Sequence, residues 1–265
     1  MSEEEKQPQT GRPIWSGTIS LGLVNVPVRL YSMIRDKSYN FHFVRQKDTC
    51  PLRYQRVCTF DDQVVNWGDV ARAFEVRKGE YIIFDKKELE SLRPESDKRI
   101  RLEKFVNFFD IDPVYFDSSY ILAPDKSRDA YSLLLYALEA KSMAGVGKFT
   151  LRTKETPVLV HVYKGALILT TLRYADEVSD PYVVKDLAKL KEPDKKELEL
   201  AEKIIENLSG NFNINEYHDA YRENVEKLIK KKQKGDTVTI EPPKKEEVKE
   251  LMAALQETLE QMKKK

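Results

Sequence analysis

The 265-residue chain has little of what secreted, membrane-spanning or metal-stapled proteins are built from. Its two cysteines, Cys50 and Cys58, cannot make a disulfide framework, so an intracellular, reducing setting is expected. No apolar run approaches the roughly 18 residues of a membrane span. The opening MSEEEKQPQTG has no apolar stretch of the signal-peptide kind. Enzyme fingerprints are missing too: there is no G-x-x-x-x-G-K-[ST], no G-x-G-x-x-G and no G-x-S-x-G. The nearest glycine-rich stretch, AGVGKFT (144–150), follows an expected helix and enters an expected strand. A phosphate loop needs the reverse order, so a plain helix-to-strand turn is predicted. The three histidines, His42, His161 and His218, are far apart, and none adjoins a serine or cysteine.

What is present is charge, and it is uneven. The net charge is only +1, yet residues 12–58 hold eight Arg or Lys against Asp36 and Asp48, a local +6. Residues 59–140 hold 12 basic and 17 acidic side chains, a local −5. One surface facing a polyanion, with the rest kept soluble, gives such an asymmetry.

Short, closely spaced strands are expected at 14–31, 39–46, 52–59, 80–84, 99–109 and 114–121, interrupted by short helices at 67–74 and 86–92. In RPIWSGTISLGLVNVPVRLYS (12–32) the apolar parity changes: Ile19, Leu21 and Leu23 are odd, whereas Val24, Val26, Val28 and Leu30 are even. A strand cannot change faces without a turn or bulge, so two strands meeting at Gly22–Pro27 are predicted, with Arg12 and Arg29 outside. A helix is expected over 128–143, with Ser127 as N-cap and Ala130, Leu133, Leu134, Ala137 and Leu138 on its apolar face. A three-strand meander is expected over 147–174, and many short strands with few helices point to a barrel or a sandwich. Beyond 185 the pattern turns helical. Leu198, Ala201, Ile204, Ile205 and Leu208 mark one face, and Tyr217, Ala220, Tyr221, Asn224, Val225, Leu228 and Ile229 a second. A third helix in 244–265 has a nearly heptad seam. No internal repeat is evident.

Several clusters carry candidate chemistry. His42, Cys50 and Cys58 invite a zinc reading, but Cys58 has Asp61 where a C-x-x-C pair needs its second cysteine, so two free cysteines and no metal are expected. The segment HFVRQKDTCPLRYQRV (42–57) interleaves Arg45, Lys47, Arg53 and Arg56 with aromatic residues, a pattern suited to phosphate contact. In the expected meander Lys148 and Arg152 share one strand face. KLIKKKQKG (227–235) places Lys230, Lys231 and Lys232 at a helix end, more cations than a helix dipole needs. Paired carboxylates occur at Asp61–Asp62 and Asp110/Asp112, and both read as turn residues.

The stretches 12–32, LRYQRVC (52–58), LRPESDKRIRLEKFV (92–106), TLRYADEV (171–178) and FNINEYHDAYRENVEKLIKKKQKG (212–235) together resemble the prokaryotic Ku family of DNA end-binding proteins, over residues 11–262. The resemblance implies a mainly β fold with helices: a central β-barrel and a bridge that close into a dimeric ring, plus a C-terminal helical arm. It implies a disordered 1–11, a barrel-and-bridge core at 12–184, an arm at 185–235, and a linker with a last helix at 236–265. The implied function is sequence-independent binding of double-stranded DNA ends by a homodimer in non-homologous end joining. No catalysis and no cofactor are implied. The protein would protect ends, recruit a multifunctional ATP-dependent DNA ligase, and reside in the cytoplasm on the nucleoid, with no membrane partner. Many members read R-V-C-x-x-C-G where this chain reads RVCTFDD, a departure that counts against a metal site. Three final lysines stand for the longer basic tail of some members. The alternative is a scaffold without DNA binding, using its basic patches and last helix on protein partners.

Overall fold

The computed structural model describes residues 11–92, 97–151 and 154–234. Contacts divide the chain into two compact units, Met1–Lys37 with Phe41–Ser179, and Ser38–Asn40 with Asp180–Lys265.

The first unit is built on a closed barrel of seven strands. Its strands are Trp15–Leu21 (β1), Val24–Ser32 (β2), Arg99–Asn107 (β5), Phe116–Pro124 (β6), Met143–Leu151 (β7), Lys154–Tyr163 (β8) and Ala166–Leu172 (β9). They run in the order β1-β2-β6-β9-β8-β7-β5, antiparallel except where β5 closes against β1 in parallel. The parity change has a two-residue cause. Leu21 pairs with Val24, so Gly22 and Leu23 form the whole turn, with Gly22 at φ +56° in the first turn position, which favours glycine. Ile19 then lies opposite Val26, and both point into the core despite their opposite parity. The bend is therefore tighter than the expected Gly22–Pro27. Pro27 sits within β2 opposite Thr18, whose N–H goes instead to the Lys98 carbonyl at 3.0 Å. That pair exchanges no bond, so the missing proline N–H faces the β6 side, where the ladder ends.

The interior is filled by alternating residues of the strands, among them Ile19, Val28, Leu30, Ile100, Phe149, Val160 and Leu169. Helix Arg128–Lys141 (α2 in chain order, after the short α1 at Lys86–Ser91) closes one mouth. It packs on β2, β7 and β8, strands not all adjacent in the sheet, so it must lie across the opening. Its buried face is Tyr131, Leu135 and Leu138, while Leu133 is exposed, contrary to the expected stripe. The helix is rotated toward Tyr131 because that hydroxyl has buried work: it donates to the Leu122 carbonyl (2.8 Å) and accepts from the Leu167 N–H (2.9 Å).

Between β2 and β5 the chain leaves the barrel. The expected strands at 39–46 and 52–59 are absent; each region contributes to a single isolated bridge, Val44 with Pro51 and Val57 with Val64. The expected helix at 67–74 is one 3-10 turn, Trp67–Asp69, followed by Arg72–Arg77 (β3), which pairs with Glu80–Phe84 (β4) in a separate hairpin. Apolar spacing misled here because these side chains do not cover a core within this chain: Phe43, Tyr54, Phe60, Trp67, Phe74 and Ile83 are all exposed.

The second unit carries Lys195–Leu208 (α3) and Ala220–Gln233 (α4), N-capped by Asp194 and Asp219, whose carboxylates accept the Lys196 and Arg222 N–H groups. No residue of α3 is buried and only Val225 of α4 is, so the expected inward Tyr217 and Tyr221 stand exposed. The expected third helix at 244–265, the N-terminal 1–10 and Arg152 lie outside the described residues.

Candidate nucleic-acid interface

Four expected contact residues lie on the excursion between β2 and β5. Arg45 is held by Asp48 through Nε (2.9 Å) and Nη2 (2.5 Å), a bidentate pair that keeps the Asp48 carboxyl below its ordinary pKa and the guanidinium above its own. Arg56 stacks over Trp67, 3.7 Å from the ring centre. Arg53 and Lys47 are exposed, and among the described residues neither enters an ion pair. Because 52–57 is not a strand, contrary to the expected 52–59, strand alternation does not divide Arg53 and Arg56 between two faces.

On the barrel, Lys148 of β7 lies 3.8 Å from Glu155 of β8 and directly opposite Arg101 of β5. Together with Asp97, Arg99 and Glu103 they line a cleft of about 150 Å³. Arg101 is itself tied to Asp97 at 2.5 Å, which lowers that carboxyl's pKa despite some burial. The surface alternates sign and offers a polyanion little net attraction. In the second unit, Lys230 is paired with Glu226 at 2.6 Å, holding the carboxylate down and the ammonium up; Lys231 and Lys232 are exposed and unpaired among the described residues. Among the described residues, Lys47, Arg53, Lys231 and Lys232 thus have no ion-pair partner that a contact with an anion would have to displace.

The glycines of AGVGKFT lie within β7, where a Cβ on Gly147 would come 1.8 Å from the Arg101 carbonyl oxygen and one on Gly145 2.8 Å from Leu102. The G-x-G spacing therefore serves the close passage of β5. His161 does meet a hydroxyl, Nε2 to Thr170 Oγ1 at 3.1 Å, with Ser119 Oγ 3.1 Å beyond. Thr170 is buried, however, and the Phe108 ring lies 4.8 Å from the imidazole; burial pushes the His161 pKa down. At the mouth opposite α2, a cleft of about 380 Å³ is lined by Asp117, Tyr120, Lys154, Arg173 and Glu177. Its charges neutralise one another, Lys154 with Glu177 and Arg173 with Asp117, each at 3.5 Å. Among the described residues no group of three His, Cys, Asp or Glu could hold a metal. Asp112 caps a turn by accepting the Val114 N–H.

The family model of the Ku70/Ku80 beta-barrel domain matches residues 20–200, which includes every strand from β2 to β9. The chain belongs to the Ku family. It is 34% identical over 253 residues to the non-homologous end joining protein Ku of Archaeoglobus fulgidus, covering 95% of this chain and 100% of that one. The Bacillus subtilis protein of that name is 30% identical over 252 residues (93% and 81%), and that of Mycobacterium tuberculosis strain H37Rv 36% over 230 residues (84% of each).

In this Ku chain the expected contact cations that fall among the described residues are exposed, but the sequence could not show their partners. It also passed over Arg99 and Arg101, whose alternation with Ile100 and Leu102 in RIRL is a readable signal of charges on the outer face of β5.

Proposed function

We propose that the chain is a ring-shaped homodimer that binds double-stranded DNA ends without regard to sequence in non-homologous end joining. The core at 12–184 forms barrel and bridge, 185–235 is a helical arm, and the C-terminal helical region takes part in recruiting a multifunctional ATP-dependent DNA ligase. The protein protects ends, works in the cytoplasm on the nucleoid, and performs no catalysis of its own. Membership of the Ku family, with relatives named for end joining, carries the DNA part of this reading. The exposed cations on 42–57, a segment without a helix, favour contact with phosphate over readout of bases.

The observation that supports dimerisation is the excursion between β2 and β5. From Phe41 to Leu92 no residue is buried, although large apolar side chains recur throughout. An isolated two-stranded hairpin such as β3–β4 is marginal in water, and an apolar surface of this extent marks a protein interface. Native mass, measured with and without a short blunt duplex, tests both parts together. A two-chain species that gains one duplex is expected; a monomer in both conditions contradicts the reading.

A further inference from the structure

The chain from Phe43 to Val65 contains two copies of one turn, offset by thirteen residues. Arg45 N–H bonds the Cys50 carbonyl (2.9 Å) as Cys58 N–H bonds that of Gln63 (2.8 Å). Thr49 N–H returns to the Arg45 carbonyl (2.8 Å) as Asp62 N–H returns to that of Cys58 (3.0 Å). Leu52 N–H closes on the Phe43 carbonyl (3.3 Å) as Val65 N–H closes on that of Arg56 (2.9 Å). The side chains follow: Asp48 Oδ1 accepts the Cys50 N–H and Asp61 Oδ1 accepts the Gln63 N–H, both at 3.2 Å. Thr49 and Asp62 both sit at φ +55°. No repeat shows in the sequence because FVRQKDTCPL and RVCTFDDQVV share only the bridging valine and the carboxylate.

Each feature has a counterpart in the metal knuckle of a zinc ribbon. There, two cysteines at i and i+3 bind the ion, a glycine follows in the left-handed region, and a backbone N–H two residues on supports the second thiolate. The equivalent positions here are Arg45 and Asp48 in the first turn, and Cys58 and Asp61 in the second. We propose that residues 43–65 are a two-knuckle metal ribbon that has dispensed with its ion, the Arg45–Asp48 pair taking the structural place of the metal in the first knuckle. Arg45 puts a permanent cation where a ligand belongs, which excludes a divalent ion by charge. Asp48 is consumed by it, and Cys58 with Asp61 supplies only two of the four donors that tetrahedral zinc needs. Carboxylates take over the thiolates' role as acceptors of the supporting amides. One consequence is that Arg45 belongs to the architecture of this excursion and not to its surface for ligands.

The test restores the ligands. The variant Arg45→Cys, Asp48→Cys, Asp61→Cys, with Cys58 native and Cys50→Ser, is titrated with Co²⁺ beside the native chain and beside an Arg45→Cys, Asp48→Cys, Cys50→Ser, Cys58→Ser control. The expected result is one Co²⁺ per chain in the full variant only, with the thiolate charge-transfer and tetrahedral d–d absorption of a four-sulfur site. Binding no tighter than in the control overturns the proposal, since the two turns then do not converge on one ion. Should the variant fail to fold, the native chain supplies the answer. Exchange of the Thr49 and Cys50 amides is expected to be unchanged by EDTA and at least tenfold faster in Asp48→Ala. Stoichiometric zinc in the native protein, or faster exchange of these amides on chelation, overturns it equally.

Discussion

Replacing Tyr131 by Phe tests how α2 is locked into the barrel. The ring stays and only the hydroxyl is lost, so packing against Leu135, Leu138 and the strand residues is kept. The hydroxyl bridges the Leu122 carbonyl and the Leu167 N–H, which belong to the last register pair of β6 and β9. Both backbone groups are in buried residues, and each left without a partner costs about 1–3 kcal/mol. Removing the buried hydroxyl returns part of this, and the strand ends can draw together, so a net loss of about 2–4 kcal/mol is expected. Urea unfolding at neutral pH is the assay: the midpoint falls while the m-value is unchanged. A loss below about 0.5 kcal/mol refutes the bridging role, since an ordinary surface substitution does as much. The hydroxyl has a second signature. Burial raises its pKa above the usual value of about 10, so the folded state holds that proton more tightly than the unfolded chain. The stabilisation is therefore complete below pH ~10 and is lost as pH rises through the folded pKa, a slope that Tyr131→Phe removes.

His161 has the opposite sign. Burial lowers its pKa, so its contribution is present above the unfolded value of about 6.5 and is lost as pH falls through the folded pKa; unfolding midpoints measured across that window decline in the native chain and flatten in His161→Gln. Gly147→Ala drives a Cβ into the Arg101 carbonyl and is expected to cost about 3 kcal/mol or to prevent folding, read by the same denaturation. Arg53→Glu weakens duplex binding and lowers the slope of log affinity against log salt by about one unit or more, whereas Lys148→Gln changes it less because Glu155 already neutralises that lysine; equal effects in a fluorescence titration overturn this ranking.

The barrel was legible where side chains alternate against a core. The parity change at Gly22–Leu23, the meander of β7 to β9 and the helix after Ser127 all follow from burial within one chain. Prediction failed wherever apolar residues serve something else. Phe43 and Tyr54 gave a strand-like composition to segments that are turns, because composition cannot say whether a side chain is buried in its own chain. Tyr131 lies outside the stripe that apolar spacing predicts, although its hydroxyl completes a backbone ladder. Of the site, exposed cations could be listed from sequence, but the pairing of Arg45 with Asp48, Lys148 with Glu155 and Lys230 with Glu226 depends on folding.

The claim that this Ku chain encircles DNA ends is tested most directly by topology. A linear duplex of several hundred base pairs and its covalently closed circle are compared as competitors at low salt. Binding confined to the linear form, several molecules to each duplex and lost roughly tenfold or more between about 50 and 200 mM salt, is the predicted result. Equal affinity for the closed circle contradicts it.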